Sequence, residues 1–184
     1  STSKYLGLER SLWFDARRDV VESTNVAIDY LKYLNQRFSN DWLLTLAAYN
    51  GGEGTLSKAI QKNKQNSKNT QFWGLELPTE TENYVPKLLA LAYVIKNKDK
   101  LRLNLPSIPN KPVFEIIELN QQIEISTIIE TAGIQYNTFT KFNPGYRRSV
   151  TPPNRISNIL LPDHAAELFR EFISLEDTNN WIPF

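Results

Sequence analysis

The apolar residues near the start of the chain recur at helical spacing. Between positions 20 and 38 they fall three or four residues apart, which places them on one face of a helix. Asp19 and Glu22 stand at the start with the spacing of a capping box, in which the first side chain accepts a backbone N–H and the second reaches back. The pattern predicts a helix with Asp19 as its N-cap.

A second segment, residues 42–50, is apolar on nearly every face. Helices of this kind are buried, so we predict a central helix with Asp41 as its N-cap. Gly51 and Gly52 follow, and glycine adopts the left-handed conformation that ends a helix at little cost. A more polar helix is predicted over residues 54–64.

A fourth helix is predicted after residue 78. Thr79 and Glu82 repeat the capping-box spacing. Apolar side chains then recur at i, i+4, i+7 and i+11, which predicts one face turned toward a core. The residues at these positions are Tyr84, Leu88, Leu91 and Ile95.

Three prolines within residues 105–112 indicate a joint between two differently patterned parts. Beyond it, β-branched segments predict strands and two short amphipathic segments predict helices, in the order β-α-α-β. These elements are predicted over 113–119, 125–132, 136–142 and 156–161. A last helix is predicted from Asp163, with an irregular end over residues 177–184. The predicted fold class is α+β, a helical domain followed by a small β-α-α-β module.

Composition excludes several kinds of chemistry. Among its 184 residues the chain has no cysteine and one histidine, His164. No disulfide can form, and we expect neither a metal nor a cofactor, because a zinc site would depend on carboxylates. Nucleophilic chemistry of the Ser-His or Cys-His type would need His164 as the base, and we read that residue as a surface residue near a helix start.

The 21 basic and 20 acidic residues are mixed along the chain, which indicates no nucleic-acid partner. No apolar run is long enough to span a membrane. The chain contains no methionine and begins at Ser1, so we expect it to be processed or a piece of a longer protein.

The strongest local signal is the run Ala47-Ala48-Tyr49-Asn50-Gly51-Gly52-Glu53-Gly54. An apolar helix here brings a tyrosine and an asparagine to its C-terminal end. The amide offers a donor and an acceptor, which suits acetylated sugars, and glycine lets a ligand approach the backbone. The alternative is an ordinary helix end with asparagine as a cap residue.

That run, taken with Glu80-Thr81-Glu82-Asn83-Tyr84-Val85, resembles the C-terminal part of the lysozyme-like lytic transglycosylase domain. Segments 13–20, 72–73 and 84–90 add to the resemblance, which covers residues 1 to about 100. It implies an enzyme that cleaves the β-1,4 bond between N-acetylmuramic acid and N-acetylglucosamine in peptidoglycan. The muramyl 6-hydroxyl attacks and leaves a 1,6-anhydro end, and one glutamate serves as acid and then base, unlike the two carboxylates of most glycosidases.

The resemblance implies substrate-binding roles for a few residues. Tyr49 and Asn50 match the family's Ala-Tyr-Asn motif, and Tyr84 matches the tyrosine that closes the cleft. Gly51 and Gly52 match the turn, although the family commonly has alanine where Gly51 stands.

The family's catalytic glutamate lies in a Glu-Ser motif that is followed by Gly-Leu-Met/Trp-Gln. The second motif is absent, and the one Glu-Ser pair, at Glu22, belongs to the capping box. We therefore assign no catalytic residue within the chain and expect the acid upstream of Ser1. Glu53, in a glycine-rich exposed turn, stays ionised, and Glu80 and Glu82 are stabilised as anions at a helix start.

The module at residues 113–163 resembles a divergent LysM unit, a β-α-α-β fold that binds N-acetylglucosamine chains. Residues 139–145 resemble the family's Leu-Asn-Pro stretch, whereas residues 119–122 replace its usual Gly-Asp, so we favour a structural spacer over a sugar-binding unit. The predicted domains are a partial transglycosylase domain, a proline-rich linker, the LysM-like module, and a C-terminal helix with its tail. Their bounds are 1–104, 105–112, 113–163 and 164–184.

The function that the resemblance implies is a peptidoglycan lytic transglycosylase. We expect it in the bacterial cell envelope, at the periplasmic side of the outer membrane. We expect this chain alone, as a piece of that enzyme, to be inactive. Peptidoglycan glycan strands are the expected partner, with membrane contact only through an anchor outside the chain. The alternatives are a non-catalytic glycan-binding or scaffold protein and a helical protein-interaction domain. Because the helix at 42–49 would be partly uncovered, we also expect a dimer, a swapped helix or a retained N-terminal fragment.

Overall fold

A computed structural model describes residues 6–175 of the chain. In this range the helices are α1 (Val20–Arg37), α2 (Trp42–Gly51), α3 (Glu53–Gln65), α4 (Thr79–Lys96), α5 (Ile125–Thr131), α6 (Tyr136–Phe142) and α7 (Asp163–Leu175), with a short 3₁₀ turn at Phe72–Gly74. The strands are β1 (Glu115–Leu119) and β2 (Ser157–Leu161). The α+β class and the β-α-α-β order are confirmed, and the predicted irregular tail at 177–184 lies outside the described residues.

The chain divides into two compact units that do not follow chain order. Among the described residues, one unit contains 6–26 and 109–175, and the other contains 27–108. The start of the chain therefore groups with the β-α-α-β module. The helical pattern of the first half of the chain does not predict this grouping. Within residues 6–175, no helix is both long enough and apolar enough to cross a membrane.

The unit at 27–108 is built around a cluster of buried side chains from all of its helices. The cluster consists of Leu34, Phe38, Ala47, Ala48, Leu56, Phe72, Leu75 and Val85. Asp41 is the N-cap of α2 as predicted, since its Oδ1 accepts from the N–H groups of Leu43 at 2.8 Å and Leu44 at 3.1 Å. The predicted burial of α2 holds for one face, where Ala47 and Ala48 are 1% and 0% exposed, whereas Trp42 and Tyr49 are 57% and 38% exposed.

The start of α4 differs from its prediction. Thr79 is the first helical residue and makes no capping bond, because the carbonyl of Pro78 accepts from the N–H groups of Thr81 and Glu82 at 2.8 and 3.0 Å. The carboxylate of Glu82 instead accepts from the N–H of Leu77 at 3.2 Å. The carbonyl of Pro78 thus accepts the hydrogen bonds that the Thr79 hydroxyl was expected to accept.

The predicted apolar face of α4 is also largely uncovered. Val85 is fully buried, but Leu88, Leu91 and Ile95 are 36%, 63% and 61% exposed. Only the first turns of α4 reach the core of this unit. The helical spacing therefore predicts correctly which residues share a face of the helix, and it predicts wrongly that this face packs against a core.

In the other unit, β1 and β2 pair antiparallel with Ile117 opposite Ile159. The core beneath them includes residues from α5, α6 and α7. Its buried members are Ile117, Leu119, Ile123, Ile125, Ile128, Ala132, Phe139, Ile159, Leu161, Ala165, Ala166 and Phe169. The C-terminal helix α7 is therefore part of the module's own core.

Residues 6–19 of this unit include a buried carboxylate, Asp15. The guanidinium of Arg17 donates to both carboxylate oxygens, from Nε at 2.8 Å and from a terminal nitrogen at 2.6 Å. Arg10 adds a weaker pair at 4.0 Å. The hydrogen bond from Arg17 is the largest cause that lowers the pKa of Asp15 from 3.8 to about 2, against the opposing effect of burial.

This low pKa predicts an acid-dependent loss of stability. Because the folded value lies below the unfolded one, the carboxylate stabilises the fold fully above about pH 4, and that contribution disappears as the pH falls toward about 2. We expect Asp15→Asn to have a shallower pH dependence than the wild type over this interval, measured by urea unfolding at several pH values. Asp29→Asn, an exposed pair with Lys32, is the control and should keep the wild-type slope. Parallel wild-type and Asp15→Asn curves would contradict the prediction.

Candidate functional site

The C-terminal end of α2 carries Tyr49 and Asn50 to a sharp corner. Gly52 has a φ of +87°, a conformation that disfavours residues with a side chain, and its N–H donates to the carbonyl of Ala48 at 2.8 Å. Because α3 starts at the next residue, α2 and α3 meet at this glycine. The predicted turn at Gly51 and Gly52 is thus where two helices change direction beside the candidate site.

Asn50 is held by the first turn of α4. Its side-chain carbonyl accepts from the Thr81 hydroxyl at 2.9 Å, and its amide nitrogen donates to a carboxylate oxygen of Glu80 at 3.2 Å. A carboxylate accepts only, so the nitrogen must face Glu80, and this fixes the orientation of the amide. The amide nitrogen carries two N–H groups, so one of them remains to donate to a ligand.

Thr81 also explains the glycine at position 51. Thr81 is 2% exposed, and a Cβ on Gly51 would lie 2.5 Å from the Thr81 hydroxyl oxygen. Contact this close forces Thr81 to move and to give up its hydrogen bond with Asn50. The absence of a side chain at Gly51 therefore allows α2 and α4 to approach closely enough for Thr81 to orient Asn50.

Gly51→Ala is predicted to lower the free energy of unfolding of the 27–108 unit by about 1 to 2 kcal/mol, because overpacking outweighs the better helix propensity of alanine. In a Thr81→Ala background the same change should be neutral or stabilising by up to about 1 kcal/mol, since the obstructing hydroxyl is gone. Urea denaturation of the four proteins of this double-mutant cycle measures the difference. Equal effects of Gly51→Ala in both backgrounds would show that the contact is unimportant.

The two candidate tyrosines lie on the same two helices, Tyr49 on α2 and Tyr84 on α4. Tyr84 lies one turn after Thr81 on α4 and is half-buried against the core cluster. The Tyr49 ring lies 6.0 Å from the ring of Tyr30 and remains partly exposed. The structure thus connects Asn50 directly to the helix that carries Tyr84, and it leaves the Tyr49 side chain 38% exposed.

The carboxylates near the site are paired with other groups of the chain. Glu53 was expected in an exposed turn, but it is the first residue of α3, and its Oε2 is buried 3.4 Å from Nε of Arg37 with no hydrogen bond of its own. Glu80 accepts from Asn50, and Glu82 accepts from a backbone N–H. The Glu80 and Glu82 carboxylates are therefore already occupied by hydrogen bonds within the chain.

Within the part of the chain that the structure describes, no cluster of three or more His, Asp or Glu side chains could hold a metal ion. The side chains at the site are the amide of Asn50, the hydroxyl of Thr81, the rings of two tyrosines and the carboxylate of Glu80. Such groups recognise neutral polar ligands through hydrogen bonds and ring packing.

In the β-α-α-β module, the side chains of Asn143 and Gln122 hydrogen-bond to the module's own backbone. Asn143 is 1% exposed, and its amide pairs with both backbone groups of Leu160, at 2.8 and 2.9 Å. Gln122, in the loop after β1, donates to the carbonyl of Thr151 at 2.6 Å. A cavity of about 660 Å³ lies beside α5 and α6, with Ser126, Tyr136 and Arg148 among its lining residues.

Sequence reasoning did not identify Glu80 and Thr81 as the partners that orient Asn50. Their positions in the second motif were the available signal, but spacing along the chain does not reveal which side chains meet. The contact depends on the close approach of α2 and α4, which the glycine at position 51 allows.

Two segments of the chain match known protein families. Residues 1–72 match the transglycosylase SLT domain, and residues 113–177 match the LysM-like domain of the lytic transglycosylase MltD. By these matches and by its relatives, the chain is similar to lytic murein transglycosylases.

The relatives agree with the family match. The chain is 38% identical over 174 residues to membrane-bound lytic murein transglycosylase D of Escherichia coli strain K12. It has the same identity to the protein of that name from Escherichia coli O6:H1. The alignments cover 95% of this chain and 38% of each relative, so the chain spans little more than a third of their length.

Proposed function

We propose that the chain forms one wall of the substrate cleft of a peptidoglycan lytic transglycosylase. The observation that supports this most strongly is the held amide of Asn50, between Glu80 and Thr81 and beside the exposed ring of Tyr49. Its remaining N–H suits the carbonyl oxygen of an acetamido group, and the tyrosine ring suits the apolar face of a sugar. Tyr84 on the next helix turn borders the same region.

In the reaction we propose for the whole enzyme, the muramyl 6-hydroxyl oxygen replaces the glycosidic oxygen at C1 of the same sugar. A glutamic acid protonates the glycosidic oxygen, and the bond from C1 to that oxygen breaks as the 6-hydroxyl oxygen bonds to C1. The resulting carboxylate takes the hydroxyl proton, so no water is consumed. We expect that glutamate outside these 184 residues, because the chain lacks the family's Gly-Leu-Met/Trp-Gln motif and its one Glu-Ser pair, at Glu22, lies at the start of α1. The role of this chain is to bind and orient the sugars.

Binding can be tested on the chain as it is. We expect N-acetylchitotetraose to change the amide chemical shifts of Tyr49, Asn50 and Tyr84 in heteronuclear NMR spectra. Asn50→Ala should abolish those changes, whereas Asn83→Ala, on the exposed side of α4, should preserve them. Changes confined to other parts of the chain would place the sugar site elsewhere.

We also propose that the chain acts at peptidoglycan in the bacterial envelope and is held at the membrane by an anchor outside these residues. The relatives' name, membrane-bound lytic murein transglycosylase, supports the first part for the family. The module's internally bonded loops support a structural role more than a sugar-binding one.

The exposed apolar side chains predict self-association of the 184-residue chain. Trp42 on α2 and Leu91, Tyr93 and Ile95 on α4 are each more than half exposed, and contiguous apolar surface favours burial against another chain. Native mass spectrometry should therefore detect a dimer or a complex with a retained fragment, and Leu91→Glu should shift the population toward monomer. A wild-type spectrum that contains only monomer would contradict this expectation.

A further inference from the structure

The residues before α1 include three, Phe14, Asp15 and Ala16, that are buried more deeply than an irregular segment at the start of a chain requires. Phe14, Asp15 and Ala16 are 2%, 5% and 0% exposed. A segment without regular secondary structure is normally at the surface, so this burial needs a specific partner. The partner is the loop of the β-α-α-β module between α6 and β2, residues 143–156.

The backbone of the segment pairs with that loop like an added strand. The N–H of Asp15 donates to the carbonyl of Gly145 at 2.9 Å, and the N–H of Arg147 donates to the carbonyl of Trp13 at 2.8 Å. Phe14 and Tyr146 lie opposite each other as an antiparallel bridge between these two bonds. Pairing of this kind is how extended peptides dock on an exposed backbone edge.

Side chains make the pairing specific. The Phe14 ring packs edge-on against Tyr146, with 5.0 Å between the ring centroids. A Cβ on Gly145 would lie 2.7 Å from the Phe14 ring, so a glycine is needed there. The Tyr146 hydroxyl donates to the carbonyl of Asn158 on β2 at 3.0 Å, which ties the contact to the strand.

Arg155 completes the contact from the module side. Its guanidinium lies 4.4 Å from the centroid of the Phe14 ring and pairs with Glu9 at 2.6 Å and with Glu22 at 2.7 Å. A guanidinium with one face on an aromatic ring and two carboxylate partners is strongly restrained. Glu22 lies on α1, so the contact reaches into the first long helix.

We propose that the 143–156 loop of the LysM-like module is an intramolecular docking site for residues 9–22, so that the module's partner is the transglycosylase-matched start of the same chain. The docked segment and the module open and close as one cooperative unit. This role is independent of sugar binding and of the proposed reaction, and it gives the module a function that its LysM-like fold does not imply.

Hydrogen exchange in the full 184-residue chain tests this directly. We expect Arg155→Ala to accelerate amide exchange on the order of tenfold both in residues 9–22 and in β2, while α4 keeps its wild-type rates. Arg170→Ala, which removes the exposed ion pair with Glu115 in the same module, is the control and should leave residues 9–22 unchanged. Acceleration in residues 9–22 with unchanged protection of β2 would overturn the proposal.

A double-mutant cycle protects the test against a variant that simply unfolds. Gly145→Ala should raise the opening equilibrium of the wild-type unit on the order of tenfold, because its methyl group meets the Phe14 ring, and it should have little effect in a Phe14→Ala background. Both sets are measured by hydrogen exchange at β2. An effect of Gly145→Ala that is the same in both backgrounds would mean that Phe14 is not docked in solution, and would overturn the proposal.

Discussion

Substitution of Asn50 by alanine is expected to lower kcat/KM for peptidoglycan cleavage by roughly a hundredfold in a polypeptide that also carries the family's Glu-Ser motif. Asn50 is positioned by two hydrogen bonds from α4, and its remaining N–H is the group that we assign to the substrate. Losing an oriented donor at the sugar weakens the alignment of the scissile bond with the catalytic glutamate.

Controls separate this effect from a loss of folding. Asn83→Ala removes an amide on α4, the helix that holds Asn50, and this amide bonds only to a backbone carbonyl. The variant should therefore retain wild-type kinetics. Thr81→Val keeps the side-chain shape but removes the hydroxyl that orients Asn50, and about a tenfold loss is expected. Wild-type kcat/KM in a folded Asn50→Ala enzyme would remove Asn50 from the site.

The second large effect concerns stability. Leu34 on α1 is fully buried in the cluster that also contains Ala47 and Ala48 of α2. Leu34→Ala is expected to reduce the free energy of unfolding of the 27–108 unit by about 2 to 5 kcal/mol, through lost burial and the cavity that remains. Because α2 carries Asn50, the candidate site should lose its structure together with this cluster.

Urea unfolding followed by hydrogen exchange measures both parts of this prediction. Ile28→Ala, on the same helix but 44% exposed, is the matched control and should change stability by less than about 0.5 kcal/mol. Protection of β2 in the other unit should remain at the wild-type level in the Leu34 variant. A similarly small effect at both positions would mean that the cluster does not hold the unit together.

Local patterns predicted most of the helices and both strands because they depend on neighbouring residues. Asp41 bonds to the N–H groups of the next turn, and the spacing of its carboxylate to them is set by the chain itself. The strands at 115–119 and 157–161 follow from β-branched composition. The predicted family agrees with the families that the chain matches.

What packs against each element was much harder to predict. The apolar spacing of α4 fixes a face but not its neighbour, and Leu91 and Ile95 are exposed although the pattern predicts a core. The capping pattern at Thr79 failed because the carbonyl of Pro78 already accepts the N–H groups that a cap would bind. Periodicity reports local geometry, while packing depends on residues that are distant in sequence.

The candidate site shows the same division. Tyr49, Asn50 and Tyr84 were identified from motifs, and their roles remain predictions. The bonds from Asn50 to Glu80 and Thr81 span thirty residues and depend on how closely α2 and α4 approach. The docking of residues 9–22 on the module spans more than a hundred residues and has no periodic signature.

The most direct test of the proposed function is mass spectrometry of peptidoglycan digests. The 184-residue chain and a longer polypeptide that carries the Glu-Ser and Gly-Leu-x-Gln motifs are each incubated with purified peptidoglycan, beside a longer variant whose motif glutamate is replaced by glutamine. We predict 1,6-anhydro-muropeptides only from the unmodified longer polypeptide. Anhydro products from the 184-residue chain would place the acid among its own carboxylates, and their absence from the longer polypeptide would contradict the transglycosylase assignment.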